Sequence, residues 1–177
     1  MTLARRLGIA ALLLLALAAG VALRAVLTPG PTLQPAADAA TVEDFSLPDL
    51  DGRVRRLSEF AGKMVVLNFW ASWCGPCLEE MPDFIDLQRR YAEHGVQFLG
   101  VAVEQADAAR QLAERLKLNY PSLVGDLEAM DIARRLGNGA GVLPYTVLIG
   151  PDGKVLARLA GRADPADLER WLGGERR

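Results

Sequence analysis

Two thiols lie two residues apart in the stretch Asn68-Phe69-Trp70-Ala71-Ser72-Trp73-Cys74-Gly75-Pro76-Cys77, and they are the only cysteines in the chain. Such a pair can be half of a metal site, a structural clip or a reversible redox couple. A structural zinc needs four Cys, His or carboxylate ligands. Beside the two cysteines this chain offers one histidine, His94, in Glu93-His94-Gly95 at what reads as an exposed helix end. A disulfide clip stabilises in proportion to the loop it closes, and a ring this small constrains almost nothing. The redox reading gives the neighbours work. Met64 to Trp70 reads as a buried strand, Cys74 falls where it passes into a helix, and Pro76 occupies the first turn, where a missing N–H is harmless. The helix N-terminus offers free N–H groups and partial positive charge to the Cys74 sulfur, which favours the nucleophilic thiolate. Cys77, one turn in, is placed to attack the mixed disulfide that Cys74 forms.

The elements that must position this pair follow from the apolar pattern. MVVLNFW (64–70) and VQFLGVAV (96–103) are near-continuous apolar runs, as expected of strands covered on both faces. Helical patterns occupy Pro76 to Tyr91, Asp107 to Leu118, Leu127 to Leu136 and Asp164 to Leu172, and Pro82 is expected to kink the first of them. Ser122 to Val124 and Tyr145 to Ile149 read as further strands, with Lys154 to Ala160 returning after a Pro151-Asp152-Gly153 turn. Arg53 to Leu57 pairs with the segment before Asp51-Gly52 as a small hairpin. Strands alternating with helices, then a hairpin and a last helix, imply an α/β sheet of mixed direction. Gly137-Asn138-Gly139-Ala140-Gly141 follows a helix and precedes a strand, the wrong order for a phosphate loop. It reads as a helix stop and a flexible rim to a substrate groove.

The N-terminus has a separate purpose. Arg5 and Arg6 precede 17 residues, Leu7 to Leu23, without a polar side chain. As a helix this run spans roughly 26 Å, close to a bilayer's hydrocarbon core. The flanking arginines would hold the N-terminus in the cytoplasm and the bulk of the chain outside it. An uncleaved anchor over 1–27 is expected, since the small-residue site Ala37-Asp38-Ala39 lies far beyond the apolar run. Residues 28–43, rich in Pro, Ala and Thr, read as a linker, and 44–175 as a single domain. Without its three N-terminal arginines the chain carries five more acids than bases. With no basic stripe, nucleic acid is not an expected partner.

Phe69 to Cys77 resembles the thioredoxin active site, and residues 44–173 resemble the membrane-anchored, extracytoplasmic TlpA/ResA/CcmG branch of that superfamily. The likeness also rests on Asp44-Phe45-Ser46-Leu47, on Leu57-Ser58-Glu59-Phe60-Ala61-Gly62-Lys63, on Glu80-Met81-Pro82 and on Leu143-Pro144-Tyr145-Thr146. It implies a thioredoxin-like fold, a central mixed β-sheet flanked by helices, with an N-terminal β-hairpin extension and the N-terminal membrane anchor. It implies a thiol–disulfide oxidoreductase, a reductase by its Gly-Pro dipeptide, that needs neither cofactor nor metal. Cys74 attacks and Cys77 resolves. Trp73, Gly75, Pro76, Leu143 and Pro144 form the substrate-binding surface, with Pro144 as a cis-proline that leaves the Leu143 backbone free to pair with an extended substrate segment.

Asn68 stands where thioredoxins carry a buried Asp that moves protons for the second cysteine. Glu80, on the same helix face as Cys77, resembles the conserved Glu of this branch. Burial would raise its pKa and suit it to exchange a proton with Cys77, whereas Glu79 is expected to be solvated. The implied partners are disulfide-bearing proteins, apocytochrome c among them, and a DsbD/CcdA-like membrane thiol transporter as electron donor. A monomer tethered to the inner membrane and facing the periplasm is expected. Tyr145 departs from the Glu that CcmG-type members carry after the proline. Two other classes are weighed: a thiol peroxidase, which needs Thr or Ser where Ala71 stands, and a metal-delivery module, which needs ligands beyond the cysteines.

Overall fold

The computed structural model describes residues 31–37 and 40–174, together with the isolated positions Leu13 and Ala16. The expected anchor over 1–27 otherwise lies outside the described residues. No helix among the described residues is long and apolar enough to cross a membrane.

In chain order the elements are β1 (Gln34–Pro35), β2 (Ser46–Pro48), β3 (Val54–Arg56), β4 (Met64–Trp70), α1 (Gly75–Tyr91), β5 (Val96–Ala102), α2 (Ala106–Leu116), β6 (Ser122–Val124), α3 (Leu127–Arg135), β7 (Tyr145–Ile149), β8 (Val155–Ala160) and α4 (Pro165–Leu172). The main sheet has the order β1-β8-β7-β4-β5-β6. β4 lies at its centre, parallel to β5 and antiparallel to β7, and every one of its residues after Met64 is buried. Two parallel steps, β4 to β5 and β5 to β6, need crossovers. α1 and α2 supply them. The antiparallel β7–β8 pair needs only a turn at Pro151-Asp152-Gly153, where Gly153 takes a positive φ of 77°.

Strand alternation divides the core between the two faces of the sheet. Leu67, Phe69, Val101, Leu123 and Val147 pack with Ala129, Ile132 and Ala133 of α3. Val66, Phe98 and Leu148 pack on the other side with Phe84 and Leu87 of α1 and Leu168 and Trp171 of α4. The helices on both faces explain why β4 and β5 read as unbroken apolar runs. β2 and β3 pair with each other as a separate two-stranded unit, whose Leu47 joins the α3-side core. An isolated bridge ties Asp49 to Leu123 on β6. α1 continues through Pro82 to Tyr91 as a single helix.

Part of the segment expected as a linker, 28–43, pairs with the main sheet. Gln34 and Pro35 pair with Arg158 and Ala157 on β8, and Thr41 bridges Lys154. The Leu33 N–H donates to Asp167 Oδ2 at 2.7 Å, while the Leu33 side chain is buried in the cluster that holds Ala163, Leu168 and Trp171. The Pro- and Ala-rich composition hid this because the strap is held by backbone pairing to β8, one buried leucine and one distant carboxylate rather than by any local pattern. Asp167→Ala removes the acceptor of the Leu33 N–H and the partner of Arg170. It is expected to destabilise the fold by about 1–3 kcal/mol and to lower the Tm in thermal unfolding, whereas an unchanged Tm would show the strap to be energetically idle.

Candidate active site

The C-terminal ends of β4, β5 and β6 and the start of β7 share one edge of the sheet, as the registers Phe69–Tyr145, Trp70–Ala102 and Ala102–Val124 show. The cysteines are carried into place at this edge by the helix that follows β4. After Trp70 the chain makes a turn closed by the Cys74 N–H donating to the Ala71 carbonyl at 3.1 Å. Cys74 is then the extended N-cap of α1, with Pro76 in the first turn, and its carbonyl accepts from Cys77 and Leu78 N–H. Cys74 and Cys77 are joined as a disulfide with their Cα atoms 5.3 Å apart. Cys74 keeps a trace of exposure at 6 % and Cys77 keeps none.

Around the disulfide, the sequence-predicted residues separate into exposed and buried sets. Trp73 is 70 % exposed, and Gly75 and Pro76 are also at the surface, whereas Trp70 is fully buried and donates from Nε1 to Ser122 Oγ. Leu143, half-buried, packs against the cluster containing both cysteines. The Leu143–Pro144 peptide is cis and Pro144 is buried. Among the described residues, the backbone of Leu143 makes no hydrogen bond. Tyr145 is buried and donates its hydroxyl to the Leu136 carbonyl, so it braces the approach to β7. Within the segment 137–141, Gly137, Gly139 and Ala140 are exposed, whereas Asn138 is 2 % exposed and holds Val142 reciprocally, donating from Nδ2 to its carbonyl and accepting at Oδ1 from its N–H.

Glu80 is the buried acid of the site. It is fully buried, and its carboxylate accepts from Asn68 Nδ2 and from the Ala163 N–H, each at 2.8 Å. Burial pushes its pKa up to about 7 against the pull of these two donors and of the Arg162 charge. Glu79 points the other way, exposed and paired with Arg162 at 3.3 Å. Asn68 also donates to Thr146 Oγ1 at 3.1 Å. His94 lies at the far end of α1 against the Arg90 carbonyl. No group of three or more His, Cys, Asp or Glu side chains among the described residues could hold a metal.

One residue of the site gave no sequence signal. Glu104, just past β5 and 8 % exposed, takes both the N–H and the hydroxyl of Ser72 at 2.6 Å each. The bidentate grip fixes the turn that displays Trp73 and leads into Cys74. Its partner lies 32 residues earlier, and no local motif announces such a pairing.

Comparison with known proteins now bears on this geometry. The family model described as AhpC/TSA matches residues 39–158. The chain belongs to the AhpC/TSA family. It is 37 % identical over 134 residues to the thiol-disulfide oxidoreductase ResA of Geobacillus thermodenitrificans, covering 75 % of each chain. A thiol:disulfide interchange protein of the thioredoxin family from Chlorobium tepidum superposes with a TM-score of 0.66 at 28 % identity, over 82 % of this chain and 97 % of that one. The peroxidoxin BcpB of Mycobacterium tuberculosis superposes with a TM-score of 0.63 at 29 % identity, over 76 % and 93 %. This AhpC/TSA member is a thiol–disulfide oxidoreductase of the ResA type with a thioredoxin-like α/β fold.

Two outcomes follow from the acids. Glu80 has its pKa raised from 4.5 to about 7 in the fold, so between these values the folded protein holds a proton that the unfolded chain has released. The associated stability is fully present below about pH 4.5 and is lost as pH rises through about 7, on the order of 3 kcal/mol in all. Chemical denaturation of wild type and Glu80→Gln across this window should show the slope only in wild type; equal slopes would remove the assignment. Glu104→Ala should lower kcat/KM for a protein disulfide about tenfold by freeing the Ser72–Trp73 turn. Glu104→Gln should retain most of the activity, and an equal loss in both variants would mean the clamp is not what matters.

Proposed function

We infer that the protein is a membrane-tethered, extracytoplasmic reductase of protein disulfides. Cys74 is the attacking sulfur, Cys77 the resolving one and Glu80 the proton acceptor. The observation that carries this reading is the fully buried Glu80 carboxyl, tuned near neutrality and lying on the same helix as a fully buried Cys77.

Cys74 heads α1, where the helix N-terminus stabilises its thiolate. The thiolate attacks one sulfur of the substrate disulfide, a mixed disulfide forms, and the other substrate sulfur departs as a thiolate. Cys77 gives its proton to Glu80 and its electron pair to Cys74 Sγ. The second substrate thiolate leaves, and the Cys74–Cys77 disulfide seen here results. Protein dithiol is oxidised by two electrons and substrate disulfide is reduced by two. Exposed Trp73 supplies an aromatic contact, while Gly75 and Pro76 leave the disulfide mouth open, since nothing lies within 4 Å of a Cβ built on Gly75. The unpaired backbone of Leu143 beside Pro144 is suited to an extended substrate segment, added as a strand is added to a sheet edge.

The polar-free run 7–23 and the arginines before it support a tether in the inner membrane and a periplasmic domain. A reductase in that compartment needs electrons from across the membrane, which a DsbD/CcdA-like thiol transporter would supply. Apocytochrome c is one candidate among the disulfide-bearing substrates.

Cys77→Ser should accumulate a mixed disulfide on Cys74 with a disulfide-bonded test protein such as insulin, and Cys74→Ser should trap nothing. Glu80→Gln should slow exchange by about tenfold or more and flatten its pH dependence. Equal trapping by both cysteine variants would defeat the mechanism. Hydrogen peroxide consumption exceeding disulfide reduction would move the assignment to the peroxidoxin side of the family.

A further inference from the structure

Asn68 Oδ1 is a buried acceptor without a hydrogen-bond partner among the described residues, although its residue is 1 % exposed and lies beside a carboxylate. A buried polar atom left unpaired costs about 1–3 kcal/mol, so its place in the site calls for a reason. The registers put Thr146, Asn68, Gly100 and Ser122 in one row across β7, β4, β5 and β6. Asn68 uses both protons of Nδ2 within this row and above it, one to Glu80 Oε1 at 2.8 Å and one to Thr146 Oγ1 at 3.1 Å. The amide is thus turned to serve an ionised Glu80. A protonated Glu80 has the opposite need, because its O–H must find an acceptor.

We propose that the Asn68 side-chain amide is a two-position latch, presenting Nδ2 to Glu80 and Thr146 when Glu80 is ionised and turning over to present Oδ1 to both when Glu80 carries the proton. This proposal rests on the reading of Glu80 as the proton acceptor and gives that site its means of switching. The two positions match in hydrogen bonds. Nδ2 donates twice in one; in the other, Oδ1 accepts twice, from the Glu80 O–H and from the Thr146 hydroxyl, which rotates to donate. The remaining amide atom occupies the same place either way, where Oδ1 has no partner among the described residues. The Ala163 N–H stays on Glu80 Oε2 throughout.

The groups facing Glu80 from the surrounding elements do not supply this switching. On α1 they are Cys77, whose S–H is the bond broken as the Glu80 O–H forms, and Asp83, whose charge raises the Glu80 pKa. Arg162, in the segment between β8 and α4, lowers it and is itself paired with Glu79. Tyr120, ahead of β6, is buried, and its hydroxyl has no partner among the described residues. Asn68 and Thr146 are neutral, so the latch adjusts hydrogen bonds while leaving the charge count to Glu80. Asn68 is a positioning residue here, acting through Glu80.

The test reads both partners in the unmutated, reduced protein by NMR, following the Glu80 carboxyl carbon and the Asn68 side-chain NH2 signals between about pH 5 and 9. The expected result is that both NH2 protons lose their hydrogen-bonded shifts with the same midpoint as the Glu80 carboxyl. Asn68 signals that hold still through that midpoint overturn the latch and leave Glu80 as proton acceptor. A Glu80 carboxyl that does not titrate at all removes the underlying reading instead. In Asn68→Leu, which can neither donate nor accept, exchange with a small disulfide at neutral pH should fall about tenfold with KM unchanged. The Glu80 midpoint should move by less than about one unit, because both protonation states lose bonds. A larger upward shift with an unchanged rate marks Asn68 as a one-sided donor and overturns the proposal.

Discussion

The carboxyl of Glu80, buried without a counter-charge in direct contact, is the constraint around which this structure is arranged. Desolvating a carboxylate is costly unless its oxygens are hydrogen-bonded, and here one oxygen is met by the central strand through Asn68 and the other by the Ala163 N–H. Those two bonds join α1, β4 and the segment leading into α4 at one point. The acid proposed as the proton acceptor is therefore also a junction of the fold. Its neighbour Glu79 has no such duty: exposed and paired with Arg162, it contributes little beyond a screened surface charge.

What the sequence made legible was local. The cysteine pair at a strand-to-helix junction, the apolar runs of β4 and β5, and the glycine-marked stops all depend on residues within a few positions of each other. Glu80 could be singled out from its distance to Cys77 along the helix. The pairings that escaped notice act across distance in sequence. Glu104 grips Ser72 from 32 residues away, Thr146 meets Asn68 across 78, and Asp167 holds the Leu33 N–H across 134. Asn68 illustrates the limit well. Its inability to titrate was evident from its side chain, but its partnership with Glu80 depends on α1 crossing β4, and only the fold brings that about.

The comparisons span two chemistries on one architecture, since a thiol:disulfide interchange protein and a peroxidoxin superpose on this chain with TM-scores of 0.66 and 0.63. Backbone likeness cannot choose between them. The choice falls to individual side chains: a second cysteine one turn into the helix, an alanine at position 71, and an acid buried behind the pair. These are small differences on a shared frame, and the proposed resolution of Cys74 by Cys77 rests on them.

The sheet's two borders have a consequence for how this protein meets other chains. β1 lies along β8 on one side, and on the other the three-residue β6 is bridged by Asp49 beside the β2–β3 hairpin. Long, uncovered border strands are templates for runaway pairing between molecules. With one border overlaid by β1 and the other short and pinned by the Asp49 bridge, the main sheet offers other molecules little uncovered ladder among the described residues.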